Sequence, residues 1–213
     1  MRMPITRRRA LRGAALGMPA LLAACATGDA QPPLQPEPGY AHLTPLRLNV
    51  LEIEVVEPSP GPAFRVDPPA PLSPVTQALR MGRERLSAVG TQGRGRYVLD
   101  AASLTRETAD GGGLFSERTE RLTVLLRARV EILGADGGRI GFSEAEVRRT
   151  ATSVADSPAA RARAADLIVR QAMDDLNVEF EFQLRRNLRD WIMTGEPSAP
   201  LPGPVLQETL PTG

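Results

Sequence analysis

Between Arg121 and Leu133 apolar and polar residues alternate without a break. Leu122, Val124, Leu126, Ala128, Val130 and Ile132 share one parity; Arg121, Thr123, Arg127, Arg129 and Glu131 share the other. A strand with one buried and one wet face is expected there. Asp136-Gly137-Gly138 predicts a hairpin turn, and residues 139–152 return with Ala145 and Val147 inward and Glu144, Glu146 and Arg148 outward. The opposed arginine and glutamate rows are expected to pair across the exposed face. Upstream, residues 96–106 form a third strand with Tyr97, Leu99 and Ala101 on one side. Residues 46–57 form the first strand, but its parity changes: Leu46, Leu48 and Val50 alternate, then Leu51, Ile53 and Val55. That phase change fits either a β-bulge or a strand buried on both faces.

Two stretches change period from two to 3.6. Ser73-Pro74 has the order of an N-cap followed by a first-turn proline. Val75, Leu79, Gly82, Leu86 and Val89 follow at three-four spacing, up to Gly90. The glycines at 90, 93 and 95 lead from helix to strand, the reverse of a phosphate-binding loop, so they read as a turn. The second helix starts at Ser157-Pro158 and runs to about Met193. Its core stripe is Ala165, Val169, Ala172, Leu176, Phe180, Leu184, Leu188 and Trp191. Within it, residues 177–184 alternate like a strand; the helix is preferred because the three-four pattern passes through. A helix then leaves Val178 and Phe182 on the opposite side. They are either a contact with another protein or with lipid, or they are buried beneath the tether or the loop before the first helix.

Before this region the chain carries Arg2 and Arg7-Arg8-Arg9, then Arg12, then a short apolar run ending in Leu22-Ala23-Ala24-Cys25. The layout is that of an export signal, too short for a membrane span. Leu22-Ala23-Ala24-Cys25 resembles the lipobox of bacterial lipoproteins. The resemblance implies that Cys25 receives a diacylglyceryl group and becomes the first residue after cleavage. Cys25 is the only cysteine, so no intrachain disulfide is available in an oxidising compartment. Arg7 and Arg8, with Leu11-Arg12 behind them, resemble the twin-arginine export motif, Ala10 standing where an aromatic is more typical. A general secretory signal rich in arginine is the alternative, since every basic residue here is arginine. Ala26, rather than aspartate, after the cysteine favours the outer membrane. Residues 1–24 are therefore expected to be a cleaved signal and 25–45 a proline-rich tether holding a solvated His42. Residues 46–193 form the domain, and 194–213 are a disordered proline-rich tail.

The whole chain has net charge +1. Five arginines and no acids lie in the first 24 residues, so the remainder has 26 − 5 = 21 basic against 25 acidic residues, or −4. A mildly acidic domain argues against general nucleic-acid binding. There is no Gly-x-Ser-x-Gly elbow, HExxH or Cys/His cluster, and one linker histidine excludes a Ser-His-Asp site. No carboxylate pair stands apart from the surface charges. No enzyme, metal or cofactor is expected. Arg80, Arg83, Arg94 and Arg96, with Arg85 among them, gather on and after the first helix. They are a candidate site for an anionic lipid or glycolipid, although a solvated face with Glu84 is the simpler reading.

The order β-α-β-β-β-α predicts an α+β two-layer sandwich, a four-stranded, mainly antiparallel sheet with two helices on one face. This order resembles the lipopolysaccharide-assembly lipoproteins of the outer membrane, which pack two helices on such a sheet behind a lipidated cysteine. It is also similar to the auxiliary lipoproteins of ABC-type lipid transport systems. The resemblance implies a non-catalytic lipoprotein, membrane-bound through its lipid anchor, facing the periplasm and supporting an envelope protein complex.

Overall fold

The computed structural model describes residues 35–109, 119–154 and 156–193. The signal, Cys25 and the proline-rich tail lie outside them. Among the described residues, six strands and two α-helices follow in order: β1 Leu46–Leu48, β2 Glu52–Val56, α1 Pro74–Arg85, β3 Leu86–Ala88, β4 Arg94–Ala109, β5 Thr119–Leu133, β6 Arg139–Val154 and α2 Pro158–Asn187. The main sheet has the order β2-β4-β5-β6, with β2 parallel to β4 and the other pairs antiparallel. Both helices cover one face, so the α+β sandwich stands.

The alternation of β5 is realised in full. Leu122, Val124, Leu126, Ala128, Val130 and Ile132 are buried beneath the helices. Tyr97 of β4 joins them. Its hydroxyl donates to the Ala78 carbonyl at 2.8 Å, and its ring meets Phe180 of α2 edge-on at 5.8 Å. The inward set of β4 differs from the expected Tyr97, Leu99 and Ala101. A bulge between Leu99 and Ala101 shifts the register, so Ala102 and Leu104 continue the inner face and Ala101 turns outward. The extra residue, Asp100, is held by Arg129 of β5.

The parity change at 46–57 is neither a bulge nor a doubly buried strand. The strand breaks at Asn49–Leu51, and its halves enter different sheets. β1 pairs in parallel with β3, while β2 pairs with β4. Val50 is buried at the break and Leu51 is exposed. The same pairing shortens α1, which stops at Arg85 instead of reaching Gly90. The backbone of 46–50 needs partners, and 86–90 supply them: Val89 donates to Leu48 at 2.9 Å and Gly90 to Val50 at 2.9 Å. The following turn passes through Gly93 with φ +69°, a left-handed position that suits glycine.

α2 also ends before the expected Met193. A short 3-10 turn follows Asn187, and Ile192 bridges to Leu48 on the other side of β1. Asn49 donates to the Trp191 carbonyl at 2.7 Å and Met193 to the Arg47 carbonyl at 2.9 Å, bonds that a continued helix would forfeit. Residues 35–45, expected as free tether, lie on the helices. Tyr40 is buried and its N–H donates to Glu84 of α1, Leu43 packs on the core, and Arg170 of α2 donates to the carbonyls of Gln35 and Pro36 at 2.8 Å each. His42 is exposed.

Candidate functional site

The residues singled out by sequence divide between two places. Arg80 and Arg83 lie on α1, in the helical layer. Arg94 and Arg96 have the opposite parity to buried Gly95 and Tyr97, so they stand on the open face of the sheet. The expected single cluster is therefore split, and each member has its own carboxylate. Arg80 pairs with Glu84 at 2.7 Å, Arg83 with Glu57, Arg94 with Glu52 at 2.9 Å and Arg96 with Glu54 at 3.2 Å. The bond from Arg80 and the Tyr40 N–H hold the Glu84 carboxyl below its ordinary range. An anion approaching these arginines competes with carboxylates already in place. Arg85 is not on the surface at all. It is buried and donates to Asn177 at 2.8 Å, to the Thr44 carbonyl and to Glu181, tying α1, α2 and the 35–45 segment together.

The open face is a mosaic of charge. Arg127 pairs with Glu146 across β5 and β6, as the opposed rows predict. Arg129 departs from that pattern: it bonds Asp100 on β4 and, at 3.2 Å, Glu131 on its own strand, not Glu144 opposite. A row of threonines, Thr105, Thr123 and Thr150, crosses lower down, the last two hydroxyls 3.4 Å apart. Among the described residues no group of three His, Cys, Asp or Glu side chains is placed to hold a metal. No helix among them is long and apolar enough to cross a membrane.

Val178 and Phe182 stay outside the core. The helix runs straight through 177–184, so Phe180 is buried while Val178 and Phe182 are 69% and 54% exposed. The docked 35–45 segment does not bury them; it only forms one wall of a shallow groove, with Pro38, Tyr40 and Leu43 facing Asp174, Asn177 and Val178. Leu167, another exposed apolar residue, lies eleven residues before Val178 on the same side of α2. Between them, Gln171 and Asp175 receive Arg149 of β6, Gln171 at 3.1 Å. Leu167 and Val178 thus stand on the outer side of α2, opposite its buried residues, and Phe182 is turned from them towards the side that receives Arg149. Sequence periodicity finds the stripe but not what lies beside it, because that depends on how α2 is placed on the sheet.

No protein-family model matches the chain, and no curated protein matches it in sequence. Solved structures give loose likenesses. One is described as a neuraminyllactose-binding hemagglutinin homolog from Helicobacter pylori, at 10% identity and TM-score 0.38, covering 71% of this chain and 90% of that one. A minor lipoprotein from Acinetobacter baumannii is similar at 11% identity and TM-score 0.35, covering 64% and 94%. An uncharacterized lipoprotein B from Nitrosomonas europaea is similar at 8% identity and TM-score 0.38, covering 72% and 92%.

Proposed function

We propose that this chain is a bacterial lipoprotein, exported and held on a membrane through lipidated Cys25, whose domain is a non-catalytic contact module in an envelope complex. The anchor reading rests on Leu22-Ala23-Ala24-Cys25 behind a basic, short apolar leader. Two or more acyl chains at about 0.8 kcal/mol per buried CH₂ give a stable anchor. The contact reading rests on one observation, the exposed Val178–Phe182 stripe on a helix whose other side is fully engaged with the core. Apolar side chains left together in water on a folded surface are what an interaction site uses. The partner class is an outer-membrane assembly or transport complex facing the periplasm. The split and paired arginines leave the anionic-lipid alternative without a preformed site.

The test is to tag the C-terminus, separate inner from outer membranes, extract in mild detergent and identify what co-purifies. The expected result is outer-membrane recovery with a stoichiometric envelope protein. Cys25→Ala should release the chain from the membrane fraction. The double variant Val178→Glu with Phe182→Glu should lose the partner while keeping the wild-type melting temperature; a variant that unfolds would show the stripe to be core and remove the reading.

A further inference from the structure

β6 is an edge strand of sixteen residues, Arg139–Val154, paired only with β5. Among the described residues, nothing pairs with its outer side. Long free edges are templates for another strand, and proteins usually blunt them with proline, bulges or brevity. β6 contains no proline, and its one register irregularity lies at its beginning. The inward-pointing charge on it, Arg149, is neutralised by Asp175 of α2.

The edge is also complementary to itself. If a second β6 runs antiparallel with Val147 opposite Val147, Glu146 faces Arg148 twice across the symmetry axis. Glu144 then faces Thr150, Phe142 faces Thr152 and Ile140 faces Val154. Centring one residue earlier or later would set Glu146 against Glu146 or Arg148 against Arg148, and like charges directly opposite destabilise a pair. Arg148 is exposed, and no described residue forms an ion pair with it. Ile140 and Val154 are exposed apolar residues that this register brings together.

The helix layer allows this pairing. α2 runs antiparallel to β6: Leu188 sits against Gly141, and Gln171 and Asp175 bond Arg149. Interpolating between these contacts places Val178, within a turn, level with Val147. Two β6 strands about 4.8 Å apart therefore bring two α2 helices side by side at this level, with Phe182 turned towards the β6 side and Val178 on the outer face of the helix, opposite buried Leu176 and Phe180.

The geometry points to a homodimer in which two β6 edges pair around Val147 and join two sheets into one, capped by an antiparallel pair of α2 helices. This rests on the reading of the exposed α2 stripe as a contact surface and names a second copy of the chain as the occupant of its Phe182 side.

The full lipidated chain carries the test, with Val147→Cys introduced. Under oxidising conditions it should form a covalent dimer, while Thr152→Cys should not, because its own copy lies ten residues, or roughly 34 Å, along the strand. Adding Arg148→Glu to Val147→Cys should cut the covalent dimer about tenfold, the effect of about 1.4 kcal/mol. A Val147→Cys chain that stays monomeric, in the gel and by mass in detergent, overturns the dimer, as does a cross-link indifferent to Arg148→Glu. A monomer that still retains an envelope protein through Val178 and Phe182 would overturn self-pairing alone. A monomer that retains none would overturn the contact reading too.

Discussion

Arg106 of β4 and Glu120 of β5 hold each other at 2.9 Å with only 5% and 3% of their side chains exposed. Glu120 takes a second arginine on its other oxygen, Arg161 of α2 at 2.7 Å. Arg106 also donates to the carbonyls of Asp67, Pro69 and Arg161. The cluster pins the loop before α1, two strands and the start of α2 at one end of the sheet. Removing one member of a buried pair leaves an uncompensated charge, which costs about 3–5 kcal/mol. Glu120→Ala is expected to lower the urea-unfolding free energy by that amount. Glu146→Ala removes a pair whose side chains are each 42% exposed, and it should cost less than about 1 kcal/mol.

Glu181 links stability to acid. Burial pushes its carboxyl up, but the hydrogen bond from Arg185 and the charge of Arg85 outweigh burial and hold it below the ordinary range. The unfolded chain therefore takes up this proton first, at about pH 4.3. The stabilisation is present above that pH and is lost as pH falls through the lower folded value. Glu84, held down by Arg80, acts in the same direction. Melting temperatures from pH 6 to pH 3 should fall more steeply for the wild type than for Glu181→Gln, and the gap between them should narrow towards pH 3.

Gly82 faces the Tyr97 ring from α1, and a Cβ there would come within 2.7 Å of two ring carbons. Alanine is the better helix former by about 1 kcal/mol. The ring it would strike is buried and fixed by its hydroxyl bond to Ala78 and by Phe180. Overpacking of about 1–3 kcal/mol should win. Gly82→Ala is expected to lower the thermal midpoint, whereas Gly61→Ala, with nothing within 4 Å, should leave it unchanged.

Much of the sheet and core was legible because burial imposes a period. The six apolar positions of β5 fall on one face, and seven of the eight expected core residues of α2 are buried, Trp191 only partly. What failed depended on partners distant in sequence. The first strand splits because β3 pairs with its first half, and α1 ends early for the same reason. The 35–45 segment reads as tether by its prolines, yet Tyr40 finds a socket among residues of α1 and α2. Arg106 and Glu120 have the residue types of a solvated surface, and no local pattern marks them as buried. The arginines at 80–96 were close in sequence but separated by strand parity, which puts helix and sheet residues on opposite faces.

The alternation at 177–184 makes the sharpest distinction between two local structures. In a strand, Val178, Phe180 and Phe182 would share a face and matter equally. In α2 they do not: Phe180 is fully buried against Tyr97, while Val178 and Phe182 stand in solvent. Phe180→Ala should therefore cost about 3–5 kcal/mol, the price of emptying an aromatic site in a packed core. Phe182→Ala should stay within about 0.5 kcal/mol for the isolated chain, as surface substitutions do. Its effect should grow with protein concentration, because in a dimer the same ring becomes part of the interface and stability is coupled to association. Unfolding curves at two protein concentrations, tenfold apart, separate the cases. A Phe182→Ala deficit present at both concentrations and equal to that of Phe180→Ala would mean that α2 is turned differently on the sheet.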